Sequence, residues 1–235
     1  MDDQALTAAL EVVRRAAGNP SALIEPFLEL FPVSGAAVST VGALLGNETV
    51  SASDVTAARV DELQFDLGEG PCWDAMKSSR PVLEPDIHNN PRTVWPAFSA
   101  AIQHEQVGAL FAFPLTLGPL QIGAVDLYSS LPVNLTTEQS QRAEVLAGAV
   151  GRQVLRRALD VPSDEREDLG NASLRRLVHQ ATGMVLAQLH ITADDALLII
   201  QGHAFAGGMT MMDVAQDVID RRLVFSYSDS GIEAS

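Results

Sequence analysis

The N-terminal apolar positions Leu6, Leu10, Val13 and Ala17 recur at close to helical spacing and stop at Gly18, which predicts a first helix. Asn19 and Pro20 supply an N-cap and a first-turn proline for a second helix, whose stripe of Leu23, Ile24, Phe27, Leu28 and Phe31 ends before Pro32. From Ser34 the texture changes. Residues 35–45 are small and β-branched, residues 48–53 alternate, and Gly46 with Asn47 between them predicts a hairpin. Residues 54–63 predict a helix, 67–71 (LGEGP) a turn, 72–78 a short helix and 81–83 an edge strand. Residues 84–96 hold three prolines and two adjacent asparagines and predict a loop, with a helix over 97–106. Two core-strand runs, 108–117 and 120–128, are separated only by Gly118 and Pro119 and predict a second hairpin. After Thr136 and Thr137 a long helical pattern carries Ala143, Leu146, Ala147, Val150 and Val154 to about residue 159.

Beyond residue 160 the segment VPSDEREDLGN is polar and contains Pro162 and Gly170, which marks a domain boundary. The remainder of the chain reads as helix. Leu174, Leu177, Val178, Ala181, Met184, Val185 and Leu189 keep the 3.6 period, with Arg175, Arg176, His179 and Gln180 off that stripe. Thr192 and Asp195 have the spacing of a cap for a second helix, running through Leu197, Ile200 and Ala204 to Gly207 and Gly208. Thr210 and Asp213 repeat it for a third, bearing Val214, Val218 and Ile219, on which Asp217 and Arg221 are expected to pair. The fold class predicted is α+β: an antiparallel sheet with flanking helices over residues 1–160, joined to a three-helix domain over 165–227.

Composition narrows the function. With 235 residues and 47% hydrophobic content, each part can bury a core of its own. The N-terminus is acidic and no apolar run approaches the ~20 residues of a membrane span, so a cytoplasmic protein with no membrane partner is expected. Cys72 is the single cysteine, which excludes an intrachain disulfide and a multi-cysteine zinc site. The net charge of -15 repels phosphate at long range. Residues 1–160 carry 10 basic and 19 acidic residues and residues 161–235 carry 5 and 11, so nucleic-acid binding by either part must be local and shape-specific.

Cys72, in GEGPCWDA, starts a helix whose dipole would favour a thiolate, but Glu69 and Asp74 oppose one, and beside Trp73 it reads equally as a small buried hydrophobe. Glu84, Asp86, His88 and Asn89 suit a metal or polar ligand, yet turn formation accounts for Asp86, Asn89 and Asn90, and His88 has no third ligand at recognisable spacing. No metal is expected. Nucleophile elbow, phosphate loop, dinucleotide fingerprint and HExxH helix are all missing, so the sequence names no cofactor and no enzyme is expected. Loops closing over an antiparallel sheet make its natural cavity, which places a pocket among Cys72, Trp73, Asp86, His88, Trp95, Phe113 and Asp126. On the first C-terminal helix Arg176, Gln180 and Gly183 share one face at four- and three-residue steps, with Arg175 and His179 adjacent. Such residues suit phosphate and base-edge contacts, and a merely solvated face would also carry them.

The run over residues 178–225 resembles the ANTAR domain, a three-helix module of transcription antitermination regulators. The matching positions are Ala181, Gly183, Met184 and Val185, then Asp195, Ala196 and Ala204, then Asp213, Val214 and Ala215. This chain has Thr182 where many members carry lysine. LGEGPCWDA (67–75), RPVLEPDI (80–87), WPAF (95–98) and FPLTLGPLQIGAVDLYS (113–129) are similar to a GAF domain. The resemblance implies a regulator that binds RNA hairpins in nascent transcripts; the residues expected to make that contact are Arg175, Arg176, His179, Gln180, Thr182 and Gly183, with Arg221 and Arg222 as an alternative site. It also implies a GAF half that holds a small-molecule ligand or dimerises, and the helix over 136–158 has the length and apolar pattern for a homodimer seam. Two alternatives stay open: a DNA-binding regulator, disfavoured by acidic Asp213, Asp217 and Asp220 on the last helix, and a thiol-based enzyme using Cys72.

Overall fold

The first apolar stripe forms α1 (Asp3–Arg14), which buries Ala9 and Val13. The computed structural model describes residues 3–16, 18–41, 45, 47–89, 94–160, 172–228 and 231–234, with the side chains of residues 172–176 and 228 outside that description. The expected boundary at 161–171, the prolyl loop residues 90–93 and the turn residue Gly46 lie outside the described residues. The chain divides into two compact units, residues 1–166 and 167–235.

In the first unit the predicted second helix splits. Asn19 caps a single 3-10 turn at Pro20–Leu23, accepting from the Ser21 N–H at 3.2 Å, and α2 (Glu25–Leu30) comes next with Pro26 in its first turn. The strands β1 (Gly35–Thr40) and β2 (Glu48–Ala52) pair antiparallel. Asp54 then caps α3 (Val55–Leu67), its carboxylate accepting from the Thr56 and Ala57 N–H groups at 2.9 Å each. Gly68, at φ 62°, ends that helix in the left-handed conformation that glycine adopts without a Cβ penalty. Next come α4 (Pro71–Ser78), the edge strand β3 (Val82–Glu84) and α5 (Pro96–Ile102), which stops earlier than the periodicity predicts. The hairpin of β4 (Ala109–Leu117) and β5 (Leu120–Ser129), together with α6 (Thr137–Asp160), completes the unit.

The strands form a five-stranded antiparallel sheet in the order β2-β1-β5-β4-β3. One face carries Ala36, Val38, Phe111, Phe113, Val125 and Leu127 and packs on α1, α2 and α6. Each fully buried phenylalanine there contributes about 1.5–3 kcal/mol relative to an exposed one. The opposite face carries Ala37, Leu110, Ala124 and Tyr128 beneath α3, α4 and α5. The sheet closes tightly between β1 and β5: a Cβ at Gly123 would overlap the Ser39 carbonyl oxygen. The apolar stripe of α6 (Ala143, Leu146, Ala147, Val150, Val154) lies inside this core, so it is taken up by the unit's own sheet rather than left as a seam for a partner. The sequence pattern could not tell these uses apart.

In the second unit α7 (Ala172–Leu189), α8 (Ala193–Gly207) and α9 (Met211–Ile219) bury Val178, Ala181, Val185, Leu189, Ala196, Ile200, Val214, Ala215 and Val218. Thr210 and Asp213 form a reciprocal capping box at the start of α9, and Thr192 caps α8 by accepting from the Asp195 N–H at 3.2 Å. Two expectations are corrected. Asp217 pairs with Arg222 at 2.7 Å and not with Arg221, because the helix ends at Ile219 and Arg221 turns left-handed at φ 58°. The tail is not helical: β6 (Phe225–Ser228) and β7 (Gly231–Ala234) make a hairpin anchored by buried Phe225, whose N–H donates to Gln188 Oε1 at 3.0 Å and whose ring meets His203 edge-on. Among the described residues no single helix is long and apolar enough to cross a membrane.

Candidate functional site

The face of the first unit beneath α3, α4 and α5 is where the expected pocket falls, and a chain of buried polar groups organises it. Gln64 on α3 is 1% exposed; its Nε2 donates to Asp126 Oδ2 on β5 at 2.7 Å, and its Oε1 accepts from the Cys72 N–H at 2.7 Å. The Gln64 carbonyl accepts from Trp73 Nε1 at 2.6 Å, so one residue ties α3 to the start of α4 and to the sheet. One turn earlier, buried Asp61 accepts from the hydroxyls of Ser39 on β1 and Thr49 on β2. Hydrogen bonds to a carboxylate contribute about 1.5–3 kcal/mol each, and losing a partner leaves a desolvated charge. Glu69, in the LGEGP turn, accepts from the Ala97 and Phe98 N–H groups at 2.9 and 3.0 Å and so caps α5 from a distance.

The candidate pocket residues separate accordingly. Cys72 is buried with Met76 and Ala124, with Trp73 packed against that cluster. Trp95 is buried and donates from Nε1 to Asp74 Oδ2 at 3.1 Å. Asp86 is held in a local turn, accepting from the Asn89 N–H at 3.2 Å and from its side-chain amide, and these hydrogen bonds hold its carboxyl below the usual value. His88 is half-buried, its Nδ1 shielded and without a hydrogen-bond partner among the described residues. Phe113 does not belong with them. It pairs with Val125 on the α1–α6 face of the sheet, whereas Asp126 pairs with Ala112 on the other, so the pleat points the two to opposite sides. Among the described residues no group of three or more His, Cys, Asp or Glu side chains gathers as metal ligands. The structural roles of Gln64 and Asp61 are not evident from the sequence; the one local sign is a polar pair, three apart, inside the otherwise apolar α3 stripe of Ala57, Val60 and Leu63.

On the second unit, His179, Gln180 and Gly183 are exposed along α7. A Cβ at Gly183 would meet nothing within 4 Å among the described residues, so packing within the unit does not require glycine there. Thr182 leaves this surface: it is 7% exposed and its hydroxyl donates to the Val178 carbonyl one turn back at 2.7 Å. The side chains of Arg175 and Arg176 lie outside the described residues. At the alternative site Arg222 is clamped by Asp217 and Asp220 at 2.7 and 2.6 Å, which raises its pKa further, chiefly through the hydrogen bond to Asp217, and neutralises its charge locally. Exposed Arg221 adjoins it.

This architecture is a sheet-and-helix module followed along the chain by a small helical unit. The GAF domain family matches residues 3–153, and the chain belongs to it. The ANTAR domain matches residues 171–219, covering α7, α8 and α9. Among solved structures, the GAF domain of a phosphoenolpyruvate-protein phosphotransferase from Acinetobacter is similar over 70% of this chain and 100% of its own, at 9% identity and TM-score 0.55. The corresponding domain from Coxiella burnetii is similar over 65% of this chain and 92% of its own, at 14% identity and TM-score 0.54. A free methionine-R-sulfoxide reductase from Neisseria meningitidis is similar over 68% of this chain and 96% of its own, at 16% identity and TM-score 0.47. At these identities the likeness to the two phosphotransferase GAF domains is one of fold. No curated relative matches the sequence.

Proposed function

We propose that the chain is a signal-responsive transcription antitermination regulator that binds RNA hairpins through α7 of its ANTAR domain. The observation that carries this reading is Gly183, an unforced glycine on an exposed helix face beside Gln180 and His179, within a segment matched by the ANTAR family. A helix-interior glycine costs about 1 kcal/mol relative to alanine, a cost that close approach of an RNA backbone explains. Hairpin loops present unstacked bases that a few side chains can read, so the overall charge of -15 is no obstacle. RNA is preferred to DNA because α9 ends in Asp217 and Asp220, which would face phosphate in a helix-turn-helix arrangement. The GAF domain acts as sensor or dimerisation module in the cytoplasm, taking a small ligand over the Gln64–Asp126 face or joining two copies through side chains of α6 outside its own core, such as Val145 and Leu159. Burial of Cys72 speaks against a thiol enzyme. Ultraviolet crosslinking in cells followed by sequencing tests the reading: enriched transcripts carrying paired hairpins beside terminators are expected. Recovery of no RNA above a non-crosslinked control would overturn it.

A further inference from the structure

In the second unit, α8 carries more apolar surface than its own core uses. It buries Ala196, Ile200 and Ala204 against α7 and α9. On the opposite side Leu198, Gly202 and Phe205 follow one another at steps of four and three, which lines them up along one face. Leu198 is 62% and Phe205 68% exposed, and Met209, 37% exposed, comes just past the end of the helix. Single apolar residues on a surface are ordinary, but a helix apolar on both sides has the pattern of one covered on both. The seventeen residues 196–212 hold no Asp, Glu, Lys or Arg, in a chain that is 19% charged. A charge-free run of similar length, 107–125, forms most of the buried β4–β5 hairpin. At the centre of the α8 face a Cβ on Gly202 would meet nothing within 4 Å among the described residues, so packing within the unit does not call for glycine in this helix interior.

We propose that two copies of the chain associate through this face, their α8 helices packed antiparallel about a two-fold axis beside Gln201 and Gly202. Such an axis brings Leu198 of each copy against Phe205 of the other, because the two positions lie equally far on either side of it. Gly202 lets the two backbones approach closely enough for those side chains to seat. A parallel pair is disfavoured, since it would set Asp194 and Asp195 at the start of α8 beside the same carboxylates of the other copy. The occupant follows from charge. At a net charge of -15 two copies repel each other, so association is favoured where neither brings a carboxylate, and this face brings none between Ala196 and Met212. RNA would find no arginine or lysine there to hold a phosphate, and a basic partner would find no acid. The exposed parts of Leu198, Phe205 and Met209 in two copies amount to roughly 700 Å², below the ~1,200 Å² of a lasting interface, so the contact is a transient one that forms at micromolar concentrations. It lies wholly within residues 167–235, does not depend on what the helical unit binds, and leaves the α6 face free to join copies as well.

The test is disulfide trapping in the full chain, where buried Cys72 gives no background. Each trapping rate is divided by the rate at which the same thiol reacts with a small maleimide, which removes the effect of neighbouring charges on the thiol itself. Gly202→Cys lies beside the axis and is expected to form a linked dimer about tenfold faster, on that scale, than Ser226→Cys, an exposed position on the tail hairpin. Adding Leu198→Glu to Gly202→Cys sets a carboxylate against Phe205 of the other copy and should slow trapping about tenfold, and adding Phe205→Lys as well pairs the two charges across the axis and should restore it. Both added substitutions fall on exposed positions, so the melting curves should match that of Gly202→Cys alone. Trapping of Gly202→Cys no faster than that of Ser226→Cys would overturn the proposal: a thiol that maleimide reaches freely then marks a face left for a different protein, and one protected even at high dilution marks a face covered by the chain's own first unit. Failure of the charge pair to restore trapping, with melting unchanged, would overturn it too, by excluding the antiparallel register.

Discussion

Gly183→Ala is expected to separate stability from function in opposite directions. The residue lies inside α7, and a methyl group there meets open space among the described residues, so the substitution introduces no clash. Alanine is favoured over glycine in a helix interior by about 0.8–1 kcal/mol, partly through lower entropy of the unfolded chain. For a unit the size of residues 167–235 that gain raises the melting temperature by about 4–8 °C. The same methyl would hold an RNA backbone away from the helix and stretch the contacts that neighbouring Gln180 makes. Losing one such hydrogen bond, at about 1–1.5 kcal/mol, weakens binding about tenfold. Thermal unfolding by circular dichroism and RNA anisotropy on the same preparation check both halves. A stabilised variant that binds RNA as tightly as wild type would refute the reasoning, leaving α7 a solvated face; a destabilised one would show that packing requires the glycine.

Three other perturbations probe the geometry. Arg175→Ala or Arg176→Ala should flatten the salt dependence of RNA binding by about one contact, whereas His179→Ala and Gln180→Ala should change preference among loop sequences, both read by anisotropy. Asp54→Ala removes the α3 cap and should cost about 0.5–2 kcal/mol near neutral pH in urea unfolding. Burial raises the Asp54 pKa, but hydrogen bonds from Ser53, Ala57, Tyr128 and Thr56 outweigh it and hold the carboxyl below its usual value. Its contribution is therefore present above about pH 4 and fades as pH falls through the lowered pKa, so the gap between wild type and variant should narrow in acid. Phe225→Ala should cost about 3 kcal/mol and expose Gln188 and His203 to faster amide and ring exchange by NMR, because the buried ring anchors the tail on α7 and α8.

Elements with strong local signals are readable from the sequence. The β4–β5 hairpin is set by Gly118, which turns at φ 60°, and α9 by Thr210 and Asp213, which form the reciprocal cap their spacing implies. Features that escape a local reading are set by contacts distant along the chain. Strand β4 is apolar on both faces, so its period of two is invisible in the sequence, and only the register Phe113–Val125 and Ala112–Asp126 assigns Phe113 to the α6 side. The Gln64–Asp126 bond joins residues 62 apart, and the polar pair Asp61 and Gln64 inside the apolar α3 stripe carries no sign of the partner on β5. Analogy with a lysine position puts Thr182 on the binding face, but a short β-branched hydroxyl returns to its own helix carbonyl where a long side chain would reach outward. The C-terminal hairpin is short and serine-rich, and its anchor Phe225 gains meaning only against Gln188 and His203.

A regulator of the kind proposed changes the fate of a transcript by binding its hairpins. Single-round transcription in vitro tests this most directly, on a template carrying the crosslinked hairpins and their terminator, by measuring the fraction of full-length RNA as the protein is titrated. The account predicts that read-through rises over the concentration range in which the hairpin RNA is bound, and that Gly183→Ala shifts the rise about tenfold higher. Read-through that stays flat while the RNA is saturated with protein would contradict it.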